Sequence, residues 1–249
     1  MTTWVTRLVI ANAVMFLLTM ASPLVMDKLM FVPVFILWQP WTLITYMFLH
    51  ANITHILFNM LGLYFFGPRL ETVLGSAKFL LLYFISGVSG GLLSFIFAPN
   101  APIVGASAAV FGVFYGFARY WPKEQLYVWG LFPVQARWMV VGMTVLSLIG
   151  GFSGFEQGIA HFAHLGGFVG GFFFIKWVDS SSRAARFQKK MAPPVPGSSD
   201  IRKWMSISRE SMHEVNREQL DSVLNKLKVT GVESLTPDEI AFLNRFSNR

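Results

Sequence analysis

Six apolar stretches follow one another along the first 178 residues, each separated from the next by charges, prolines or glycines. A helix of about 20 apolar residues crosses the hydrocarbon core of a bilayer, and a shorter run reaches that width by borrowing neutral flanking residues or by tilting. The pattern predicts six membrane-spanning helices: Leu8–Met26, Ile53–Phe66, Phe79–Ala98, Ile103–Tyr120, Trp138–Gly151 and Ile159–Val178.

The first stretch has an alternative interpretation as a secretory signal peptide. Ala21, Ser22 and Pro23 follow it, and small residues mark signal cleavage sites. However, Arg7 provides only a weakly basic start, and further apolar stretches follow. We therefore interpret this stretch as a membrane span.

The segment from Leu29 to Gly67 contains no acidic residue, lysine or arginine. Its first thirty positions nevertheless include two prolines and two tryptophans: Pro33, Pro40, Trp38 and Trp41. Proline disrupts helices, and tryptophan prefers the headgroup region of a bilayer. The sequence predicts an interfacial loop here, lying partly in the outer leaflet.

The pattern changes at Asp179, where serines, a basic run and a proline-rich stretch predict a linker over residues 179–210. A helical hairpin is predicted over residues 211–249. Its first helix carries apolar residues at helical spacing: Val215, Leu220, Val223, Leu224 and Leu227.

Two local signals define the turn of that hairpin. Gly231 is suited to end the first helix, and Thr236 with Pro237 and Glu239 forms the capping box of a second helix. An apolar face on the hairpin is expected to serve a cytoplasmic partner or self-association: Leu220, Leu224, Leu227 and Leu243.

Composition places the chain among integral membrane proteins. Hydrophobic residues make up 54% of it, charged residues 13%, and the mean hydropathy is +0.52. The chain has no cysteine, which excludes disulfides, thiolate metal sites and a cysteine nucleophile. The net charge of +7 does not indicate nucleic acid, because 13 of the 20 lysines and arginines lie from Lys176 onward, where a membrane protein has its cytoplasmic flank.

The positive charges also predict orientation. They flank alternate ends of the six spans, whereas the opposite ends carry only Lys28. By the positive-inside rule both termini lie in the cytoplasm, as an even number of spans requires. The prediction is a multi-pass protein of the cell membrane.

Spans two, four and six run in the same direction under this topology, from outside to inside. Each has unusual polar residues near its outer end, namely His55 and Asn59, Ser107, and His164. At about 1.5 Å per residue, these groups share a depth a few ångströms below the outer interface. Ionisable and polar groups at such a depth indicate a functional site.

Small residues predict that spans four and six touch. They recur at every fourth position in span four and as a GxxxG pair in span six: Ala108, Gly112 and Gly116, with Gly167 and Gly171. Ser107 and His164 lie at the outer ends of these faces, so we expect a nucleophile and its general base. No aspartate or glutamate in the spans is placed to orient the imidazole, which makes the prediction a dyad.

The oxyanion of a tetrahedral intermediate would also find donors here. Ser107 follows a glycine-containing turn at the start of a helix, where backbone amides are unpaired. His55 and Asn59 are four residues apart on one helix face and could add side-chain donors to the Ser107 amide.

These motifs resemble the rhomboid family of intramembrane serine proteases. The matching residues are His55 to Asn59, Gly105 to Ser107, and Ala163 to Gly167 together with Gly171, and the stretch from Glu71 to Gly75 is a further similarity.

The resemblance covers about residues 1–178 and implies an all-α six-helix core of the bacterial inner-membrane type. It further implies a serine endopeptidase without cofactor that cuts transmembrane segments of membrane proteins near the outer face. In it Ser107 is the nucleophile, His164 the base, and His55, Asn59 and the Ser107 amide the oxyanion site. Phe111 matches the aromatic residue that packs on the catalytic imidazole.

Two positions depart from the family pattern. Ala108 replaces the glycine that commonly follows the serine, and no arginine accompanies Trp38 or Trp41 in the first loop. Alanine is small enough to preserve the helix contact, so we expect activity to be retained.

Three alternatives compete with the protease. An inactive rhomboid-like protein would bind transmembrane segments without cutting them, but would be expected to lack the serine or the histidine. A transporter would need a polar route through the whole membrane, whereas the polar groups stop near one face. His161 and His164 form an HxxH pair, yet no carboxylate or cysteine completes a metal site.

Overall fold

A computed structural model describes residues 1–128, 131–153, 160–181, 196–209 and 212–247. The chain divides into two compact units, Met1–Ser182 and Arg183–Arg249. The first contains eight α-helices among its described residues: α1 Thr3–Ala21, α2 Pro23–Leu29, α3 Thr42–Thr45, α4 Ile53–Leu74, α5 Ser76–Phe97, α6 Ser107–Tyr120, α7 Ala136–Ser153 and α8 His161–Ser181.

The six longer helices α1 and α4 to α8 correspond in order to the six apolar stretches, which confirms the predicted all-α membrane bundle. Within the described residues, three of these helices are long and apolar enough to cross a membrane when judged by length and composition alone: α1, α5 and α7. Helix α6 has only 14 residues, because the first residues of the predicted span, before Ser107, are not helical.

Several helix boundaries differ from the predicted ones. Helix α1 begins five residues early, at Thr3, and ends at Ala21 because Ser22 is extended and Pro23 starts a new helix. Helix α4 continues eight residues further than predicted, to Leu74. Ile103, predicted as the start of the fourth span, instead pairs with Phe31 in an isolated antiparallel bridge. The first residue of the sixth predicted span, Ile159, lies outside the described residues.

The segment between α2 and α4 folds into short turns over a buried anchor. It contains α3 and two 3-10 turns, Pro33–Phe35 and Tyr46–Phe48. The hydroxyl of the fully buried Tyr46 donates to the carbonyl of Gly87 in α5 at 2.7 Å. Trp41 is half exposed, and its indole N–H donates to the Lys28 carbonyl at 3.1 Å.

Glu71 holds α1 against α4. Its carboxylate accepts hydrogen bonds from the backbone amides of Trp4 at 3.3 Å and Val5 at 3.2 Å, and from the Ser76 hydroxyl at 2.8 Å. The first amides of a helix have no partner within the helix, and a carboxylate there satisfies both their hydrogen bonds and the helix dipole. Gly75 then reverses the chain into α5 with a φ of +78°.

A small β-hairpin between α6 and α7 was not predicted. Strands β1 Gln125–Val128 and β2 Phe132–Gln135 pair in antiparallel register, with Gln125 opposite Gln135 and Val128 opposite Phe132. It is a short addition to an otherwise helical unit.

The second unit has a core of its own. Its described helices are α9 Ser198–Met205, α10 Glu214–Thr230 and α11 Pro237–Ser247. Helix α10 ends at Gly231 with a φ of +83°, and Thr236 and Glu239 exchange hydrogen bonds at the start of α11. Helix α9 lies inside the segment predicted as linker, and its Trp204 is almost fully buried.

The leucines predicted to form an apolar face of the hairpin lie in a core. Leu220, Leu224, Leu227 and Leu243 are all buried in the core of the second unit, where their neighbours include Trp204. An interaction of the hairpin with a partner or with a second copy stays a prediction. Helix α9, which lies in the segment predicted as linker, helps to enclose these leucines through Trp204.

Candidate active site

Ser107 is the first residue of α6, directly after a turn that contains Gly105. Gly105 has a φ of +120°, a conformation that strongly favours glycine, and its amide donates to the Tyr46 carbonyl at 2.9 Å. A Cβ at Gly105 would lie 2.6 Å from the His55 ring. The turn therefore brings the start of α6 against α4, and Ser107 is placed where its amide has no helical acceptor.

His164 lies in the first turn of α8 and meets Ser107 directly. Its Nε2 is 2.8 Å from the Ser107 Oγ, and both side chains are partly accessible. For the hydroxyl to donate in this pair, Nε2 must be unprotonated and the ring proton must be on Nδ1. In that tautomer the imidazole can remove the serine proton, as a general base does.

Phe111 fixes the plane of the imidazole. It lies one turn after Ser107 on α6 and stacks on His164 with ring centroids 4.3 Å apart and an interplanar angle of 22°. Phe168 of α8 packs on Phe111, with ring centroids 4.8 Å apart. Within the described residues no carboxylate bonds to His164, so the contacts that hold its ring are the stacking with Phe111 and the hydrogen bond with Ser107.

Glycines let the helices that carry the pair come together. A Cβ on Gly167 would overlap the Ala108 carbonyl, and one on Gly171 would lie 2.9 Å from the Gly112 Cα. The small faces predicted on the fourth and sixth spans therefore face each other. Their contact fixes the separation of α6 and α8 one turn below Ser107 and His164.

A second close contact joins α8 to α5. A Cβ on Gly166 would meet the Ser89 carbonyl and the Gly90 backbone, and Gly90 itself faces Ala108 and the Ala163 carbonyl. The sequence reasoning missed this contact, although Gly90 and Gly91 in an apolar helix are the kind of small-residue signal that indicates close packing.

His55 and Asn59 are connected to each other more firmly than to Ser107. The Asn52 side chain caps α4 by accepting from the His55 amide at 2.8 Å, and the buried Asn59 donates from Nδ2 to the His55 carbonyl at 3.0 Å. The His55 ring lies against Gly105. No hydrogen bond joins either side chain to Ser107 in the described structure.

Two further histidines, His50 and His161, lie near His55 and His164. His50 is almost fully buried, and its ring lies edge-on to that of His55 at 5.0 Å. The His161 ring packs against Gly150 of α7 and lies 6.4 Å from the His164 ring. No cluster of three or more potential metal-binding side chains exists in the part of the chain that the structure describes.

Comparison with known proteins agrees with this architecture. The family model for the rhomboid domain matches residues 37–181, which is more than half of the chain. The chain therefore belongs to the rhomboid family of intramembrane proteases, as its motifs predicted.

Curated relatives share the same region. Rhomboid-like protease 3 of Toxoplasma gondii is 37% identical over 142 residues, which is 57% of this chain and 52% of that protein. In Bacillus subtilis, the rhomboid protease GluP is 35% identical over 53% of this chain and 25% of its own length, and the putative rhomboid protease YdcA is 36% identical over 53% and 64%. The match thus spans from a quarter to about two thirds of these relatives.

Proposed function

We propose that this chain is an active serine endopeptidase that cuts transmembrane segments near the outer membrane face, with Ser107 as nucleophile and His164 as base. The observation that carries the proposal is the 2.8 Å contact between the Ser107 Oγ and the His164 Nε2. Family membership supports the class of reaction, and the presence of both residues argues against an inactive, purely binding protein.

In the first half-reaction the Ser107 oxygen attacks the scissile carbonyl carbon while its proton moves to His164 Nε2. The resulting oxyanion is placed to accept hydrogen bonds from the Ser107 amide, with His55 and Asn59 as side-chain donors. The intermediate collapses when His164 passes the proton to the departing amine. An acyl-enzyme on Ser107 remains.

In the second half-reaction water replaces the amine. His164 takes a proton from the water as it attacks the acyl carbonyl, and then returns a proton to Ser107 as the acid product leaves. Phe111 takes the place of a carboxylate in holding the imidazole, since a stacked ring restricts rotation without adding charge. The chemistry needs neither metal nor cofactor.

The preferred substrates are membrane proteins whose transmembrane helix unwinds readily. A helix sequesters its carbonyls in hydrogen bonds, so a segment must become extended before Ser107 can reach one. Given the basic flanks from Lys176 onward, we place both termini in the cytoplasm of a bacterial-type cell membrane and the site at the opposite face.

The test is cleavage of a model transmembrane substrate by the purified protein in liposomes. We expect Ser107→Ala and His164→Ala each to reduce the rate by about 10⁴-fold or more, and the double variant to lose nothing further, because the pair acts as a unit. Ser180→Ala, at the other end of α8, is the matched control.

A fluorophosphonate probe separates an inactive protein from an unsuitable substrate. Active protein reacts at Ser107, and His164→Ala abolishes the labelling. Wild-type protein that is folded yet neither cuts nor reacts with the probe would support the binding-only alternative. Cleavage that persists in Ser107→Ala would overturn the proposed nucleophile.

A further inference from the structure

An apolar groove runs along the outside of the bundle between α5 and α8, away from Ser107. It has a volume of about 380 Å³, and its lining includes Leu81, Ile85, Val169, Gly170, Phe173 and Trp177. Phe173 is 62% exposed and Leu81 48% exposed, so the walls of the groove face outward and not into the core.

Gly170 forms the floor of this groove. A Cβ there would lie 2.6 Å from the Ser89 hydroxyl and 3.1 Å from the Ile85 carbonyl oxygen, so α8 approaches α5 too closely at this point for a larger residue. The two walls of the groove are formed by larger side chains, which include Leu81 on α5 and Phe173 on α8. From Leu81 to Ser89 the groove follows about 12 Å of helix.

Two lysines extend the walls of the groove at one end. Lys78 precedes Leu81 by three residues, and Lys176 follows Phe173 by three, so each continues the helix face of its wall. Gly166 approaches Ser89 while Gly170 approaches Ile85, which makes the two helices antiparallel. The start of α5 and the end of α8 therefore coincide, and both lysines lie there.

Neither ammonium group has a carboxylate partner in the described residues, although the Lys176 Nζ lies 5.8 Å from the centroid of the Phe172 ring. Both groups are on exposed residues. Asp179, the acid next to this end of α8, is already paired with Arg119 at 3.0 Å. Trp177, half exposed beside them, is the residue type that membrane proteins place at headgroup depth.

We propose that this groove binds an anionic phospholipid, with one acyl chain along Ile85, Val169 and Phe173 and the phosphate between Lys78 and Lys176. An apolar channel that ends in two cations without a carboxylate partner matches an amphiphile with a negative head. A packed protein helix fits less well, because it would have to cover both charges. The two lysines favour an anionic headgroup over a neutral one, because each lysine attracts anionic lipid at a membrane surface.

Native mass spectrometry of the full-length protein tests this inference. The protein is titrated separately with dioleoyl phosphatidylglycerol and dioleoyl phosphatidylcholine. We expect one phosphatidylglycerol to bind at least about tenfold more tightly than phosphatidylcholine. Lys78→Gln/Lys176→Gln should remove that preference, whereas Lys28→Gln/Lys123→Gln, which removes the same charge elsewhere, should keep it.

A second variant examines the acyl chain. Val169→Trp fills the groove and should weaken binding of both lipids, with the melting temperature in detergent reporting that the fold is retained. Equal affinity for the two lipids, or equal losses in the two lysine variants, would overturn the proposal. So would occupation of the groove by a second copy, detected as a disulfide-linked dimer of the otherwise cysteine-free Phe173→Cys protein in liposomes.

Discussion

Gly105 shows how a single residue controls the geometry around Ser107. Its φ of +120° turns the chain into α6, and its missing side chain leaves room for the His55 ring. The two requirements are independent, because one concerns the backbone and the other the neighbouring side chain. Both fall on the residue two positions before the proposed nucleophile.

Gly105→Ala is expected to disturb both features. The new Cβ would strain the turn, at a cost of about 1–3 kcal/mol, and would push His55 away from the oxyanion position. Loss of a transition-state donor lowers the rate by about 10²- to 10³-fold, so we expect a fall of that order in cleavage rate with substrate affinity little changed.

Gly142→Ala is the matched control, because a Cβ there meets nothing within 4 Å. Its rate should equal that of the wild type. If Gly105→Ala also kept the wild-type rate, His55 would have no part in stabilising the oxyanion.

At the scale of elements, α6 is the helix on which the site depends. Nine of its 14 residues are buried, and it packs against α4, α5 and α8. Ser107 therefore has little freedom of its own, and His164 reaches it because α8 approaches so closely. The Gly167 contact with the Ala108 carbonyl sets that approach.

Gly167→Ala should force α8 away from α6. Backbone atoms at the contact cannot move aside as a flexible side chain can, so we expect a loss of about 1–3 kcal/mol in stability together with a strong loss of cleavage. Thermal unfolding in detergent and substrate cleavage measure the two effects. Val145→Ala, at an exposed position of α7, should change neither. An unaffected Gly167→Ala would mean that α6 and α8 do not meet there.

The start of α11 depends on a titratable group. Glu239 accepts two hydrogen bonds from the Lys226 ammonium, at 2.8 and 2.9 Å, and one from the Thr236 amide at 2.6 Å. The hydrogen bonds from Lys226 are the main cause that lowers the pKa of the Glu239 carboxyl below its usual value. A lowered pKa stabilises the folded unit above the pKa of the unfolded carboxyl, and this contribution is lost as pH falls through the folded value.

Glu239→Gln should therefore weaken the second unit near neutral pH, by about 0.5–1 kcal/mol, and flatten its dependence on acid. Hydrogen-exchange protection of the α11 amides in the full-length protein, corrected for the intrinsic rate between pH 6 and 3, measures this. Glu218→Gln, which removes an exposed carboxylate without an ion pair among the described residues, should resemble the wild type. Identical profiles for all three proteins would exclude the Glu239 contribution.

At the scale of the whole molecule, the residues proposed for catalysis all belong to the unit Met1–Ser182. The second unit has a separate core around Trp204 and Leu220. Because each unit has a core of its own, we expect the first unit to fold without the second. We therefore expect the second unit to take no direct part in the chemistry proposed at Ser107.

A chain truncated after Lys190 should accordingly fold and cleave a model substrate at a rate similar to the full chain. Lys189 and Lys190 are kept because positive charge after the last span helps to hold its orientation. Cleavage and thermal unfolding of the truncated and full-length proteins, compared side by side, measure the outcome. Loss of cleavage from a truncated protein that still unfolds at the normal temperature would make the second unit an activator.

The sequence by itself determined features that depend on local pattern. Apolar runs predicted the six long helices, and the rhomboid motifs predicted the family, since burial in lipid and hydrogen bonding within a helix act on consecutive residues. Glycine and the Thr236 capping box likewise predicted where α10 ends and α11 begins. The roles of His55 and Asn59 remain predictions.

Only the tertiary structure decided which surfaces meet. It joined Ser107 to His164 at 2.8 Å, set Gly166 against Gly90, and placed Trp204 over the leucines of α10. Helix α9 has no clear signal in the sequence, because its eight residues include few apolar ones. It is stabilised by the burial of Trp204. Contacts between residues distant in sequence depend on how whole helices pack, and that information is absent from the spacing of residues along any one of them.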